Sequence, residues 1–479
     1  MHDLDLSTDD LNPAGKGAAF QVSEPGSGKI LANLRQADAS ETGIVAEKAR
    51  AAQESWFNLP YEQRATILRT AADLLEANAE MYAGWIIRET GSVAAKAHFE
   101  VSLTIKVIRE AAAMPSQPHG LVLPSTPGKL SFCRRMPLGV VAVISPFNFP
   151  MYLGMRAVAP ALAVGNAVVL KPDPRTSIVG GLLMTRLFQA AGLPEDVLST
   201  VIGGADAGEA LCSSEHIAMV QFTGSTAVGR KIGGLAGSNL KKVSLELGGK
   251  NSLLILDDAD LDLAASNAAW GAWLHQGQIC MSSGRILVHE SIHDQLAARL
   301  KQKAEVLPVG DPASGQQALG PIIDKAQAER VIGIVENTVA AGASIAAGGD
   351  ANGHYVKPTV LTGVTRDMRA FREELFGPVA VLIPFSTDEE AVELANDTEY
   401  GLSAGIISKS VGRALAIGAK LRTGLLHIND QTVADEVVNP FGGRGKSGNG
   451  TSIGGPANWD EFSQWQWVTI QDQAPASPF

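Results

Sequence analysis

Cysteine is scarce in this chain: Cys133, Cys212 and Cys280 are all there is in 479 residues. No two of them form a C-x-x-C pair, so neither a disulfide framework nor a thiolate metal site is expected. A reducing compartment, the cytoplasm, fits best. Basic excess is also missing. The net charge of -11 argues against nucleic acid or an anionic membrane surface as the main partner. Long apolar runs are absent too. The uncharged apolar run Ala157 to Leu170 is interrupted by Pro160, Gly165 and Asn166 and falls short of the roughly 20 residues a membrane span needs. Met1 to Asp10 is acidic and has no apolar segment, so no signal peptide is expected. The common phosphate signatures are missing as well. Gly224-Ser225-Thr226-Ala227-Val228-Gly229 runs into Arg230-Lys231 where a P-loop would have Lys-Ser/Thr, and no strand–GxGxxG–helix fingerprint occurs. There is no internal repeat and no low-complexity tract.

What is present is the material of a large core. Hydrophobic residues make up 45% of the chain and charged ones 19%, and this length predicts two or three domains. Ile44 to Phe57 and Tyr61 to Ala79 carry apolar residues at helical spacing, and more helix follows through Met114. Pro115 to Gly128 breaks regular structure, and Lys129 to Met136 reads as a strand of a protruding arm. From Gly139 to Ile255, β-branched runs alternate with helical ones. The strands expected are Val140–Ile144, Ala167–Leu170, Leu198–Ile202, Ile217–Phe222, Val243–Leu247 and Leu253–Leu256. The helices between them are Met151–Val164, Ile178–Ala191, Ala207–Ser213 and Thr226–Gly237. That is βαβ alternation, hence a parallel sheet with helices on both faces. A second alternation runs from Leu261 to about Ile428. The run Trp465 to Ile470 is a solitary strand, expected to pair with the Lys129 arm or with another subunit.

Several residues stand where chemistry is plausible. Cys280, in Gly277-Gln278-Ile279-Cys280-Met281, follows a helical run and precedes a strand, a setting that leaves backbone N–H groups beside a thiol. An inert buried thiol is the alternative, and Cys133 and Cys212 are read that way. Glu246 lies in an apolar strand just before Gly248-Gly249, at the junction of the two α/β halves. Partial burial would raise its pKa toward that of a general base, and a salt bridge to Lys250 is the competing reading. Asn148 sits in Pro146-Phe147-Asn148-Phe149-Pro150, a stiff turn that could aim an amide at an oxyanion or merely satisfy itself. Lys171-Pro172 puts a cation at the carboxyl edge of the sheet. Gly203 to Gly208 and Phe222 to Thr226 are strand-to-helix turns that offer N–H groups to an anion.

Together with Glu373-Glu374-Leu375-Phe376-Gly377-Pro378 and Pro440-Phe441-Gly442-Gly443, these motifs resemble the aldehyde dehydrogenase superfamily in order and approximate spacing, over nearly the whole chain. The resemblance implies an α/β fold with two parallel-sheet domains and a small β oligomerisation arm. Residues 1–118 and 138–248 would form the dinucleotide-binding domain, 249–445 the catalytic domain, and 119–137 with 446–479 the arm and tail. It implies that Cys280 attacks the aldehyde, that Asn148 and the Cys280 N–H hold the oxyanion, and that Glu246 activates water to hydrolyse the thioester. Lys171 matches the position on the adenosine ribose, and Gly204, Gly208, Gly224 and Ser225 the turns around the pyrophosphate. Glu374 and Phe376 match the pair at the nicotinamide ribose and ring, and Phe147 joins the cofactor set. NAD is expected. NADP stays open, because Pro174 stands where NAD-preferring members often carry a glutamate.

Lys171 to Thr176 and Trp467 to Ile470 resemble the benzaldehyde and vanillin dehydrogenase branch, which implies an aromatic aldehyde. Phe149, Tyr152, Met155, Trp273, Ile279 and Met281 are candidates for an apolar entry tunnel, with plain core packing as the alternative. Arg156 would either meet a polar substituent or form a structural ion pair. If it gripped a carboxylate, the enzyme would be a semialdehyde dehydrogenase. A catalytically silent nucleotide-binding scaffold is the reading from another class. A homodimer or homotetramer is expected, with no nucleic acid, membrane or metal partner.

Overall fold

The computed structural model describes residues 17–477 and residue 479. The acidic leader Met1–Asp10 lies outside the described residues. An antiparallel hairpin, β1 (Ala19–Ser23) with β2 (Ile30–Arg35), leads into four helices. These are α1 (Ala39–Asn58), α2 (Tyr61–Ala77), α3 (Ala79–Thr90) and α4 (Ala94–Ala113). Asp38 and Glu41 form a capping box at the start of α1, which satisfies two otherwise orphaned N–H groups. α3 stops at Gly91, in the left-handed conformation (φ 69°) that glycine takes at least cost.

After β3 (Gly120–Val122) and β4 (Lys129–Pro137) comes the first α/β unit. Its strands are β5 (Val140–Ile144), β6 (Ala167–Lys171), β7 (Leu198–Thr200), β8 (Met219–Thr223) and β9 (Lys242–Glu246). They form one wholly parallel sheet in the order β7-β6-β5-β8-β9. Every residue of β5 and β6 is buried, as a sheet covered on both faces requires. Val141 and Val143 pack toward α5 (Pro150–Val164) and α6 (Leu183–Ala190). Val140 and Ala142 pack toward α1, α7 (Ala205–Ser213) and α8 (Thr226–Ser238). The helix expected over Ile178–Ala191 begins instead with a π turn, Ile178–Leu182. There the buried Glu89 carboxylate accepts the N–H groups of Ile178 and Val179.

The chain leaves this sheet at Glu246 and enters the second at β10 (Ser252–Ile255). The second sheet also contains β11 (Arg285–His289), β12 (Ser344–Ala347), β13 (Thr359–Thr362), β14 (Val379–Phe385), β15 (Ser403–Ile407) and β16 (Leu425–Ile428). Its order is β12-β13-β14-β11-β10-β15-β16. All its neighbours are parallel except the edge strand β12, which the sequence pattern did not announce. Leu253 and Ile255 face α9 (Leu261–Trp273) and α10 (His293–Val306), while Leu254 faces α11 (Lys325–Ala340). The terminal strand β17 (Ser463–Gln471) pairs antiparallel with β4 along its whole length, giving a three-stranded arm, β17-β4-β3. Pairing with the Lys129 arm was one of the two partners expected. Among the described residues, no helix is long and apolar enough to cross a membrane.

Candidate active site

Where the two sheets meet, a groove of about 1180 Å³ runs over the carboxyl ends of β5, β6 and β8. Asn148, Lys171, Gly204, Gly208, Gly224, Ser225, Glu246, Cys280, Glu374, Phe147 and Phe376 all line it. Pockets for small ligands reach roughly 1,000 Å³, so this one has room for a large cofactor and a substrate. The groove is also where ligands bind in open α/β sheets.

Cys280 lies in the connection between α9 and β11. Before it, His275, Gln276 and Gly277 take left-handed φ of 49°, 57° and 67°, an uncommon state for residues with a Cβ. Gln276 pins that turn by donating to the carbonyls of Gly91 and Pro321. At Gly277 a Cβ would lie 2.1 Å from the Gly377 carbonyl oxygen, so only glycine fits. Asn251 Nδ2 holds the Cys280 carbonyl at 2.8 Å and that of Ser282 at 3.0 Å. Cys280 itself is half-buried. Burial pushes its thiol up, and the charges of Glu374, Glu246 and Asp435 add to that, while the Met281 N–H works against it.

Glu246 ends β9 on the groove wall and is buried more deeply than expected, at 3% exposure. Neither of its carboxylate oxygens has a hydrogen-bond partner. Burial drives its pKa well above the usual carboxylate range, with Arg156 opposing and Glu461 and Asp435 reinforcing. The alternative salt bridge to Lys250 does not form: the Lys250 ammonium is buried without a partner, and its neighbouring charges are Arg285, Glu374, Glu373 and Arg330. Asn148 is buried, and its Nδ2 donates to the Gln278 carbonyl at 2.9 Å. A carboxamide nitrogen has two hydrogens, so one remains for a second acceptor.

The cofactor candidates gather along the same groove. Gly204 and Ser225 cap the N-termini of α7 and α8, where free N–H groups and the helix dipole favour a diphosphate. Lys171 is 6% exposed, its ammonium making one long contact of 3.4 Å to the Pro172 carbonyl. Burial lowers its pKa, and Asp173 partly restores it. Glu374 accepts the Gly249 N–H at 3.1 Å, and burial raises its pKa to about 7. Phe376 has φ 52° and meets Phe147 edge-on at 5.8 Å. Arg175 stacks over Phe147 at 4.2 Å and is tied to Asp173 and Asp324. An uncapped helix end at α7, a second helix end at α8 held by Ser225, one underused cation and a buried acid on the groove wall are compatible with a nicotinamide dinucleotide. Lys171 would meet a ribose, Gly204, Gly208, Gly224 and Ser225 the pyrophosphate, and Glu374 with Phe376 the nicotinamide end.

The substrate candidates divide. Phe149, Tyr152, Met155, Ile279 and Met281 share one buried cluster, against which Leu153, Leu274, Val433 and Cys280 pack. Trp273 does not belong to it. As the last residue of α9 it shares a buried cluster with Leu253, Ile255 and Ile286 of the second sheet, which favours its core-packing alternative; none of the six lines the groove directly. Arg156 proves to be an ion-paired residue. It is 2% exposed, bonded to Asp435, to Tyr152 Oη at 3.1 Å and to the Ile453 carbonyl at 3.1 Å. Asp435 also accepts the Tyr152 hydroxyl at 2.8 Å. Asp435, Gln327 and Arg330 went unnoticed in the sequence, and none carried a periodic or motif signal. Cys212, read as inert, is buried in α7 yet borders the groove, and burial raises its pKa to about 11.

The aldehyde dehydrogenase family model matches residues 13–468. A vanillin dehydrogenase from an Amycolatopsis species is 48% identical over 467 residues, covering 97% of this chain and 96% of the relative. A benzaldehyde dehydrogenase (NAD+) from Pseudomonas putida is 45% identical over 465 residues, with the same two coverages. The crystal structure of a salicylaldehyde dehydrogenase from Pseudomonas putida G7, complexed with salicylaldehyde, aligns with a TM-score of 0.93 at 36% identity, covering 96% of each chain. The chain belongs to the aldehyde dehydrogenase family. It is an NAD(P)-dependent aldehyde dehydrogenase, and the family and fold implied by the motifs are borne out.

Proposed function

We propose that this enzyme oxidises aromatic aldehydes of the benzaldehyde or vanillin type to carboxylic acids. The observation that carries the reading is the convergence of Cys280, Asn148 and the unpartnered Glu246 on one groove, backed by an apolar cluster. The resemblance to vanillin, benzaldehyde and salicylaldehyde dehydrogenases supports an aromatic substrate. Arg156 argues against the semialdehyde alternative. A guanidinium already neutralised by Asp435 would have to break a buried pair, at about 3–5 kcal/mol, before gripping a substrate carboxylate. An intact nucleophile, oxyanion donor and base argue against a silent scaffold.

Cys280 Sγ adds to the aldehyde carbon, giving a thiohemiacetal whose oxygen is met by the second Asn148 N–H and the Cys280 N–H. The thiol needs a base first, since its burial disfavours thiolate, and Glu246 with its raised pKa is suited to take that proton. When bound, the oxidised dinucleotide supplies a hydride acceptor and a positive ring charge. Hydride loss leaves an acyl thioester on Cys280. Glu246 passes that first proton to solvent, then takes a proton from water as the water attacks the thioester and returns it to the departing Cys280 sulfur, releasing the acid and the Cys280 thiol. Aldehyde, water and NAD(P)+ become acid, NAD(P)H and a proton.

For the cofactor we favour NAD with NADP accepted. Pro174 carries no charge to repel a 2′-phosphate, and the neighbouring acid, Asp173, is committed to Arg175. We assign residues 1–118 and 138–248 to cofactor binding, 249–445 to catalysis, and 119–137 with 446–479 to assembly. Leu121, Val122, Trp465, Trp467 and Ile470 are exposed on the arm, which supports a homodimer or homotetramer built on it. Three free cysteines support the cytoplasm. The test is kcat/KM for benzaldehyde, vanillin and succinate semialdehyde with each cofactor. Aromatic substrates should lead by about tenfold or more, and a preference for succinate semialdehyde would sink the reading.

A further inference from the structure

Behind the Asn148 loop lies a buried ion pair that the reaction steps above do not use. Lys96 and Glu100 sit one turn apart on α4, with side chains 1% and 0% exposed and 2.5 Å between them. The Lys96 ammonium also donates to the Asn148 carbonyl at 2.7 Å and lies 4.1 Å from the centre of the Phe149 ring. Glu100 uses its other oxygen to accept the N–H groups of Met151 at 2.9 Å and Tyr152 at 3.2 Å. Its two oxygens therefore join Lys96 to the first turn of α5.

The local sequence explains why help must come from another helix. α5 starts at Pro150, its N-cap is Phe149, and no side chain of its own caps it. Phenylalanine has no acceptor, so the first free N–H groups of α5 would be orphaned in the interior. A carboxylate at this end also meets the positive pole of the helix. Burying two charges is expensive, and an apolar pair of similar volume would serve stability as well or better. The arrangement makes sense if position matters. It fixes Asn148 on its carbonyl side, while Nδ2 is fixed by Gln278, two residues before the nucleophile.

We infer that Lys96 and Glu100 are positioning residues for the oxyanion donor, a brace that sets Asn148 against Cys280 without touching substrate. The inference rests on the reading of Asn148 given above. It predicts a defect that is read most directly in acylation, because there Asn148 first meets a developing alkoxide, and that recurs when water adds to the thioester.

The test uses the full-length enzyme. The variant Lys96→Met/Glu100→Gln removes both charges together, leaving no unpaired buried ion, and the substituted amide keeps an acceptor oxygen for the N–H groups of Met151 and Tyr152. Single-turnover NAD(P)H formation with benzaldehyde should fall roughly 10- to 100-fold, the scale on which a small misplacement of a catalytic group acts. NAD+ affinity, read by quenching of tryptophan fluorescence, and alkylation of Cys280 by iodoacetamide should stay within about twofold of wild type. In an Asn148→Ala background the same pair of changes should cost less than about twofold, since the donor it positions is gone. Unchanged acylation, an equal loss in the Asn148→Ala background, or a parallel loss of alkylation and NAD+ binding would each overturn the brace. Should Asn148→Ala itself leave acylation intact, the oxyanion reading fails first and the brace falls with it. Should the double variant fail to fold, Lys96→Arg, which keeps the charge but changes the donor geometry, carries the same comparison with the same outcomes.

Discussion

Glu246 and Glu100 are both glutamates almost without solvent exposure, 3% and 0%, and they differ in what they touch. Glu100 satisfies both oxygens, one on Lys96 and one on two helix N–H groups. Glu246 satisfies neither. The same contrast recurs among the other charged groups. Arg156 is paired with Asp435 and Tyr152, and Arg175 on the groove wall is paired with Asp173 and Asp324. Glu246, Lys171 and the Cys280 thiol, which face the groove, are bare or nearly so. A buried polar group without a partner costs about 1–3 kcal/mol, and more when charged, so one that also lines a groove, as Glu246 and Lys171 do, is placed to take a ligand or a proton as its partner. Paired groups hold the geometry in which the bare ones act.

The sharpest way to break this contrast is to remove the bare nucleophile. Cys280→Ala should lower turnover by about four orders of magnitude or more while NAD+ binding, read by fluorescence quenching, stays near normal. Retained aldehyde oxidation would refute its role. Glu246→Gln comes next, with a steady-state loss of about 10²- to 10⁴-fold. An initial burst of NAD(P)H should remain visible but form more slowly, since acylation loses its base while hydrolysis of the thioester is affected most; an unaltered steady-state rate would remove Glu246 as the base.

The pH dependence of this carboxylate has a definite sign. The folded-state pKa of Glu246 lies above its unfolded value. Its contribution to stability is therefore present in full below the unfolded pKa and lost as pH rises through the folded one. Glu246→Gln should accordingly raise Tm relative to wild type at pH 8 and much less at pH 4. Turnover in the wild type should rise with pH as the base ionises.

On the paired side the effect falls on stability and substrate choice rather than on the chemical step. Asp435→Ala strands Arg156 in the interior and should cost about 3–5 kcal/mol in urea unfolding. The freed guanidinium should also improve kcat/KM for succinate semialdehyde relative to benzaldehyde. A stability change under about 1 kcal/mol would mean that the pair is solvated, as surface pairs are.

Legibility in the sequence followed periodicity and local chemistry. β5 was readable to the residue, because Val140–Ile144 is a β-branched run bounded by turns. β12 escaped because Ser344–Ala347 is short, half-exposed and antiparallel at an edge. Cys280, Glu246 and Asn148 were legible as motif residues. Trp273 was open to two readings because an aromatic next to a motif looks like a pocket wall, and only the orientation of α9 turns it toward the second sheet. Lys96 and Glu100 were invisible: their four-residue spacing reads as an ordinary exposed helical pair, worth a few tenths of a kcal/mol.

By itself the sequence determined the two βαβ alternations, singled out Cys280, Glu246 and Asn148 as motif residues, and named the Lys129 arm as one of two partners for the terminal strand, because each follows from local propensity, residue type or motif. Tertiary structure alone decided which charges are spent and which are kept. Whether Arg156 is free, whether Glu246 finds Lys250, and whether Lys96 is solvated depend on partners between 4 and about 280 residues away. Electrostatic energy depends on distance and burial rather than on order along the chain.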